Sequence, residues 1–129
     1  MTEKEILEIV AAGNESARLD REAAAEVLKW AEVKICHGIA YVYWNGSIED
    51  SDFVSWDTDW HPTSNLAQAH TVEDEIREQG LESLYVLQMM RVLPDCETWD
   101  MVHAAPVYRV AAACLAVMEN KRRRENGQS

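Results

Sequence analysis

The stretch from Pro106 to Asn120 constrains this chain most strongly. Proline suits the first turn of a helix, where its missing N–H costs no hydrogen bond. Val107, Val110, Ala111, Cys114, Leu115 and Met118 then recur at helical spacing. The segment is so rich in alanine that a helix formed here must be packed closely by its neighbours, because short side chains cannot fill a wide gap.

Other elements follow from local chemistry. Thr2 and Glu5 have the spacing of a capping box, with Ile6, Ile9 and Val10 behind them and Gly13-Asn14 as the stop. Asp20 reads as the N-cap of a second helix, with Leu19 stapled onto Ala24 and an apolar stripe through Ala23, Ala24, Val27, Leu28 and Ala31. Residues 35–44 are β-branched or aromatic and run into Asn45-Gly46, which predicts a strand entering a tight turn. Ile48 to Trp56 could pair with that strand, but Glu49-Asp50-Ser51-Asp52 favours a solvated loop.

Pro62 to Ser64 opens a further helix with Leu66, Ala69, Val72 and Ile76 inside, Glu73, Asp74, Glu75 and Glu78 outside, and Gly80 as its stop. Leu84 to Leu93 reads as an apolar strand closed by Pro94-Asp95, and Thr98 to His103 as a shorter one. Helices flanking strands in this order predict an α/β (α+β) domain: a three-layer α/β/α sandwich with a small three- or four-stranded sheet. It occupies residues 1–120, and residues 121–129 form a basic, disordered C-terminal tail.

At 129 residues the chain can bury a core without disulfides or a structural metal. Twelve basic and twenty-three acidic residues give a net charge of −11, and residues 1–120 alone, with eight against twenty-two, carry −14. That charge repels nucleic-acid phosphate, so direct nucleic-acid binding is not expected. It suits solubility or attraction to a basic protein. Cys36, Cys96 and Cys114 are odd in number and show no metal-binding spacing, which fits a reduced, cytoplasmic protein. No apolar run approaches the length of a membrane span.

The stretch 44–61 holds three of the five tryptophans and five carboxylates but no Lys or Arg. Large aromatics beside acids can bind a ligand or a protein, or can pin a long loop to the core. Trp44, Trp56, Asp57, Asp59, Trp60 and His61 are the candidates, joined by Thr63, Ser64 and Asn65, whose place at a helix start suits capping or anion contact. Asp57, Asp59 and His61, with His37 as a further ligand, contain metal-binding atoms, yet the alternating Asp-x-Asp-x-His is a weak signal without a strand to aim it, and no metal or other cofactor is expected. His70 could pair with Asp74 or edge the core. Cys114, flanked by alanines, reads as an inert small hydrophobe. No nucleophile motif or glycine-rich phosphate loop is present, so no catalytic residue is assigned.

Three segments, Ala25 to Trp30, Trp60 to Val72 and Ala113 to Glu119, together resemble small phage and prophage proteins that carry a phage ABA sandwich domain. Thr63-Ser64-Asn65 lacks the carboxylate usual in that family, His70 stands where a tryptophan is usual, and residues 35–59 are unmatched. The resemblance implies an α/β/α sandwich of phage or prophage origin and supplies no catalytic residue. Taken with the acidity, the small size and the aromatic–acidic loop, it points to a small, acidic, non-catalytic binding protein that engages a basic host protein in a bacterial cytoplasm. Two alternatives remain: a nucleotide or other small-molecule sponge, and a metal-dependent hydrolase using Asp57, Asp59 and a histidine. Homodimerisation through an exposed edge of the Leu84–Leu93 strand is a further expectation.

Overall fold

The computed structural model describes residues 1–29, 31–36, 39–43, 53–55, 60–93, 101 and 104–127, the three segments between 31 and 55 by backbone alone. Its elements are α1 (Glu3–Ala12), α2 (Ala17–Glu22) continuing into a π-helical turn (Ala23–Val27), β1 (Ala31–Cys36), β2 (Ile39–Tyr43), β3 (Phe53–Ser55), α3 (Leu66–Glu78), α4 (Glu82–Val92) and α5 (Pro106–Glu125).

The core is helix on helix. Between Val107 and Val117 every residue of α5 except Tyr108 is buried, so this helix is covered on all sides. Helices α1, α2 with its π turn, α3 and α4 all pack against it. Ala111, Ala112, Ala113 and Ala116 are fully buried, and their small size lets the surrounding helices approach. The interior is completed by Ile6, Leu19, Val27, Val72 and Ile76.

The expected three-layer α/β/α sandwich is therefore corrected. Every pair of elements in substantial contact is either helix with helix or strand with strand, so the core is not built by laying helices on the two faces of a sheet. The strands pair in sequence order as antiparallel neighbours, Cys36 opposite Ile39 and Val42 opposite Val54. The segment read as one strand over 35–44 holds the end of β1 and all of β2, and Phe53–Ser55 pairs with β2 inside the stretch read as a loop.

Leu84 to Leu93 is the larger misreading: it lies in helix α4 and its C-cap, not in a strand. Leu81, Leu84, Met89, Val92 and Leu93 are buried and Tyr85 and Gln88 half-buried, a run with a period of three and four that only a helix places on one face. Apolar composition suggested a strand, but Leu, Met, Gln and Arg are good helix formers. With that strand goes the proposed strand-edge dimer. The Thr98–His103 strand falls outside the described residues except for Met101.

Helix ends follow capping chemistry. The Thr2 hydroxyl accepts from the Glu5 N–H at 3.2 Å, and Glu5 Oε1 accepts from the Thr2 N–H at 2.9 Å, completing the capping box. Gly13 closes α1 with φ +70°. Gly80, at φ +71°, turns α3 into α4: its N–H donates to the Arg77 carbonyl and the Leu81 N–H to the Ile76 carbonyl, each at 3.0 Å. Helix α2 starts earlier than expected. Ser16, not Asp20, is its N-cap, accepting from the Leu19 N–H at 3.2 Å, and Asp20 lies inside the helix. Nor is Lys121 the start of a disordered tail, because α5 continues through Glu125, with Glu119 paired to Arg122 and Arg123.

Candidate functional site: a cleft between α2 and the Trp60–Asn65 segment

Two anchors hold the segment before α3 against α2. The Trp60 indole N–H donates to the Asp20 carbonyl at 2.8 Å, and the Thr63 N–H donates to Asp20 Oδ1 at 2.7 Å. Thr63 Oγ1 also accepts from the Ser16 N–H at 2.9 Å and donates to the Ser16 carbonyl at 3.4 Å. The indole's use of a helix carbonyl gives a physical reason for the wide turn that follows. From Ala23 the helix opens to i→i+5 spacing, with the Leu28 N–H reaching the Ala23 carbonyl at 3.0 Å.

Beside these anchors lies an open cleft of about 390 Å³ lined by Glu15, Ser16, Asp20, Trp60, His61 and Ser64, with Ala17 at its edge. His61 is fixed by its backbone N–H, which donates to Gln68 Oε1 at 2.7 Å, and its Nδ1 lies 3.4 Å from the Ser64 hydroxyl. Asp20 is buried, and no described Lys or Arg pairs with it. Burial pushes its carboxyl above the ordinary 3.8, and the Glu15 charge adds to that rise; the Thr63 donors and His61 oppose it.

Of the residues singled out in the sequence, Trp60, His61 and Ser64 line this cleft. Thr63 is buried and acts as the tie to α2. Asn65 caps α3 through the Gln68 N–H at 3.1 Å and does not line the cleft. Trp44, Trp56, Asp57 and Asp59 lie outside the described residues. Among the described residues no three His, Cys, Asp or Glu side chains converge as metal ligands. Glu15 and Asp20 escaped sequence reading. A signal was present for Asp20, which falls on the buried stripe of its helix with Ala23, Ala24 and Val27.

A second, half-buried carboxylate has a different environment. Glu73 on α3 receives Arg109 Nη1 from α5 at 3.1 Å, the Tyr85 hydroxyl from α4, and His70 Nδ1 at 2.7 Å. His70 thus pairs with Glu73 instead of Asp74. Arg109 is 9% exposed and also donates from Nε to the Ala104 carbonyl at 2.9 Å. Burial, and then the Glu73 carboxylate it donates to, push the Tyr85 phenol far upward. Cys114 is buried as expected, and burial raises its thiol out of the range in which it would react.

The fold and site define a mainly helical domain with a carboxylate-lined cleft between α2 and the segment that leads into α3. No family model matches the chain, and no curated protein or solved structure is similar to it. Among the described residues no helix is long and apolar enough to cross a membrane.

Proposed function

We propose that this is a non-catalytic binding protein whose Glu15–Asp20 cleft receives a lysine or arginine side chain of a basic protein partner. The observation that supports it is the composition of the cleft wall: two carboxylates, an indole and an imidazole, with neither Lys nor Arg among the described lining residues. The Thr63 N–H donates to Asp20 Oδ1 at 2.7 Å and holds the carboxylate in place beside the cleft, where no described Lys or Arg pairs with it. The start of α2 contributes a partial positive charge, about half a unit, smaller than the two carboxylates. The same wall disfavours phosphate, so a nucleotide ligand gains no support here.

Residues 30–59, which lead directly into Trp60, carry six carboxylates against one lysine and extend the attraction to a basic surface. A cytoplasmic setting, read from the cysteine pattern, fits the free buried thiol of Cys114. Isothermal titration of an arginine- and lysine-rich peptide at low and physiological salt tests this reading. Binding should weaken with salt, and Asp20→Asn should weaken it by about tenfold or more, the size of a lost charged hydrogen bond. Equal affinity for the variant at low salt would remove the cleft from the interaction.

A further inference from the structure

The last turns of α5 carry the charge opposite to that of the Asp20 cleft. Lys121, Arg122, Arg123 and Arg124 are four of the twelve basic residues in a chain whose net charge is −11. Up to Val117 the helix is covered by its neighbours, but from Lys121 to Gly127 every residue is exposed, so this end has left the core.

The four cations are not equivalent. Glu119 holds Arg122 and Arg123. Lys121 and Arg122 also line a hollow with Glu22 and Glu26, where α2 passes into its π turn. Arg124 has neither kind of neighbour, and it makes no ion pair with any described residue. Cations in a last turn favour the helix dipole, a role that Arg122 and Arg123 already fill. Nor does Arg124 line the acidic cleft of its own chain, which lies at the start of α2 and shares no residue with the hollow beside α5.

We propose that the basic partner of the Asp20 cleft is a second copy of this chain, whose Arg124 enters beside Glu15 and Asp20. This rests on the cleft being a cation site, and it names the occupant. An exposed arginine without an acidic partner and a carboxylate cleft without a cation are complementary, and one molecule presents both. Two different surfaces meet, so the contact is made twice in a closed pair or once per link in a chain of copies. Two bodies of like net charge repel each other at long range. Near physiological ionic strength that repulsion is screened beyond about 8 Å, while the contact itself is not.

Sedimentation of the full chain at rising concentration, near physiological salt, tests this. The average mass should rise above that of one chain. Arg124→Gln, at an exposed position, should weaken the association at least tenfold and leave the melting temperature unchanged. Glu15→Lys should weaken it too, yet the two variants mixed should associate better than either alone, since one keeps the cleft and the other the arginine. A single-chain mass at every concentration overturns the proposal, as does an association that Arg124→Gln leaves intact or that mixing does not restore. Titration of N-acetyl-arginine amide separates the two readings. A chain that binds it and stays single loses only the second copy as occupant, and a chain that does not bind it loses the cleft as well.

Discussion

Glu73 and Asp20 are both carboxylates taken largely out of water, and the protein treats them in opposite ways. Glu73 is closed: an arginine, a tyrosine hydroxyl and a histidine occupy its two oxygens and tie α3, α4 and α5 together. Asp20 meets the neutral donors of Thr63 and no described Lys or Arg, and it lines a cleft. A buried charge that is fully paired has spent its chemistry on the fold, whereas one held in place without a cation retains it for something else. That difference is why the Asp20 cleft, and not the better-connected Glu73 cluster, is read as functional.

Breaking Glu73 should have the largest effect. Glu73→Ala removes the carboxylate that Arg109, Tyr85 and His70 share and should cost about 2–3 kcal/mol in urea unfolding, the range for lost hydrogen bonds to a charged group. Replacing both partners, as Glu73→Leu with Arg109→Met, should recover most of the loss. A cost below about 1 kcal/mol for Glu73→Ala would mean that the cluster is only a surface pair.

Thr63→Val comes next. It deletes the hydroxyl that accepts from the Ser16 N–H and donates to the Ser16 carbonyl; the carbonyl keeps the Asp20 N–H, and the stranded Ser16 N–H should cost about 1–2 kcal/mol. An unchanged unfolding midpoint would show that the tie to α2 does not hold the cleft.

Asp20→Asn should behave unlike either. The amide oxygen still accepts from Thr63, and no buried charge remains, so stability at neutral pH should be equal or slightly higher. The pH dependence sharpens the contrast. Because the folded state holds the Asp20 proton to higher pH than the unfolded chain does, this group lowers stability as pH rises from 3.8 through its elevated value. Asp20→Asn should remove that decline from melting curves. Glu5 has the opposite sign: the Thr2 N–H and then Arg18 hold its carboxyl down at about 2, so its contribution is present above 4.5 and lost as pH falls through about 2. A parent and an Asp20→Asn variant with parallel pH profiles would erase the distinction between the two carboxylates.

The smallest expected effect is at Lys29, which sits at φ +61° just after the π turn. A Cβ there costs roughly 1–2 kcal/mol, part of which glycine gives back in unfolded-state entropy, so Lys29→Gly should raise stability by up to about 1 kcal/mol.

What could be read from the sequence was what depends on near neighbours. The Thr2–Glu5 box, the Gly13 and Gly80 stops, Ala69, Val72 and Ile76 of the α3 stripe and the Pro106 start are all settled within one or two turns, and all stand in the structure. Leu66, expected inside, is exposed, and Glu73, expected outside, is drawn in by Arg109 and Tyr85. Leu84 to Leu93 failed because β-like composition was weighed above a period of three and four. The sandwich failed with it, since α4 became one of the helices that cover the alanines of α5. The start of α2 was misplaced because Asp20 has a good N-cap side chain. Its true partner, the Thr63 N–H, is 43 residues away and invisible to local reading. For the same reason Trp60, His61 and Ser64 could be named as candidates, while Glu15 and Asp20, which make their cleft acidic, could not.

The most direct test of the central claim is to follow the Trp60 indole N–H and the Thr63 amide by nuclear magnetic resonance while titrating N-acetyl-arginine amide. Both protons are hydrogen-bonded to Asp20, at 2.8 and 2.7 Å, and should sense a cation arriving at its carboxylate. Saturable shifts at both, absent in Asp20→Asn, are the predicted result. Shifts confined to other residues, or equal shifts in the variant, would contradict the assignment of this cleft as a cation-binding site.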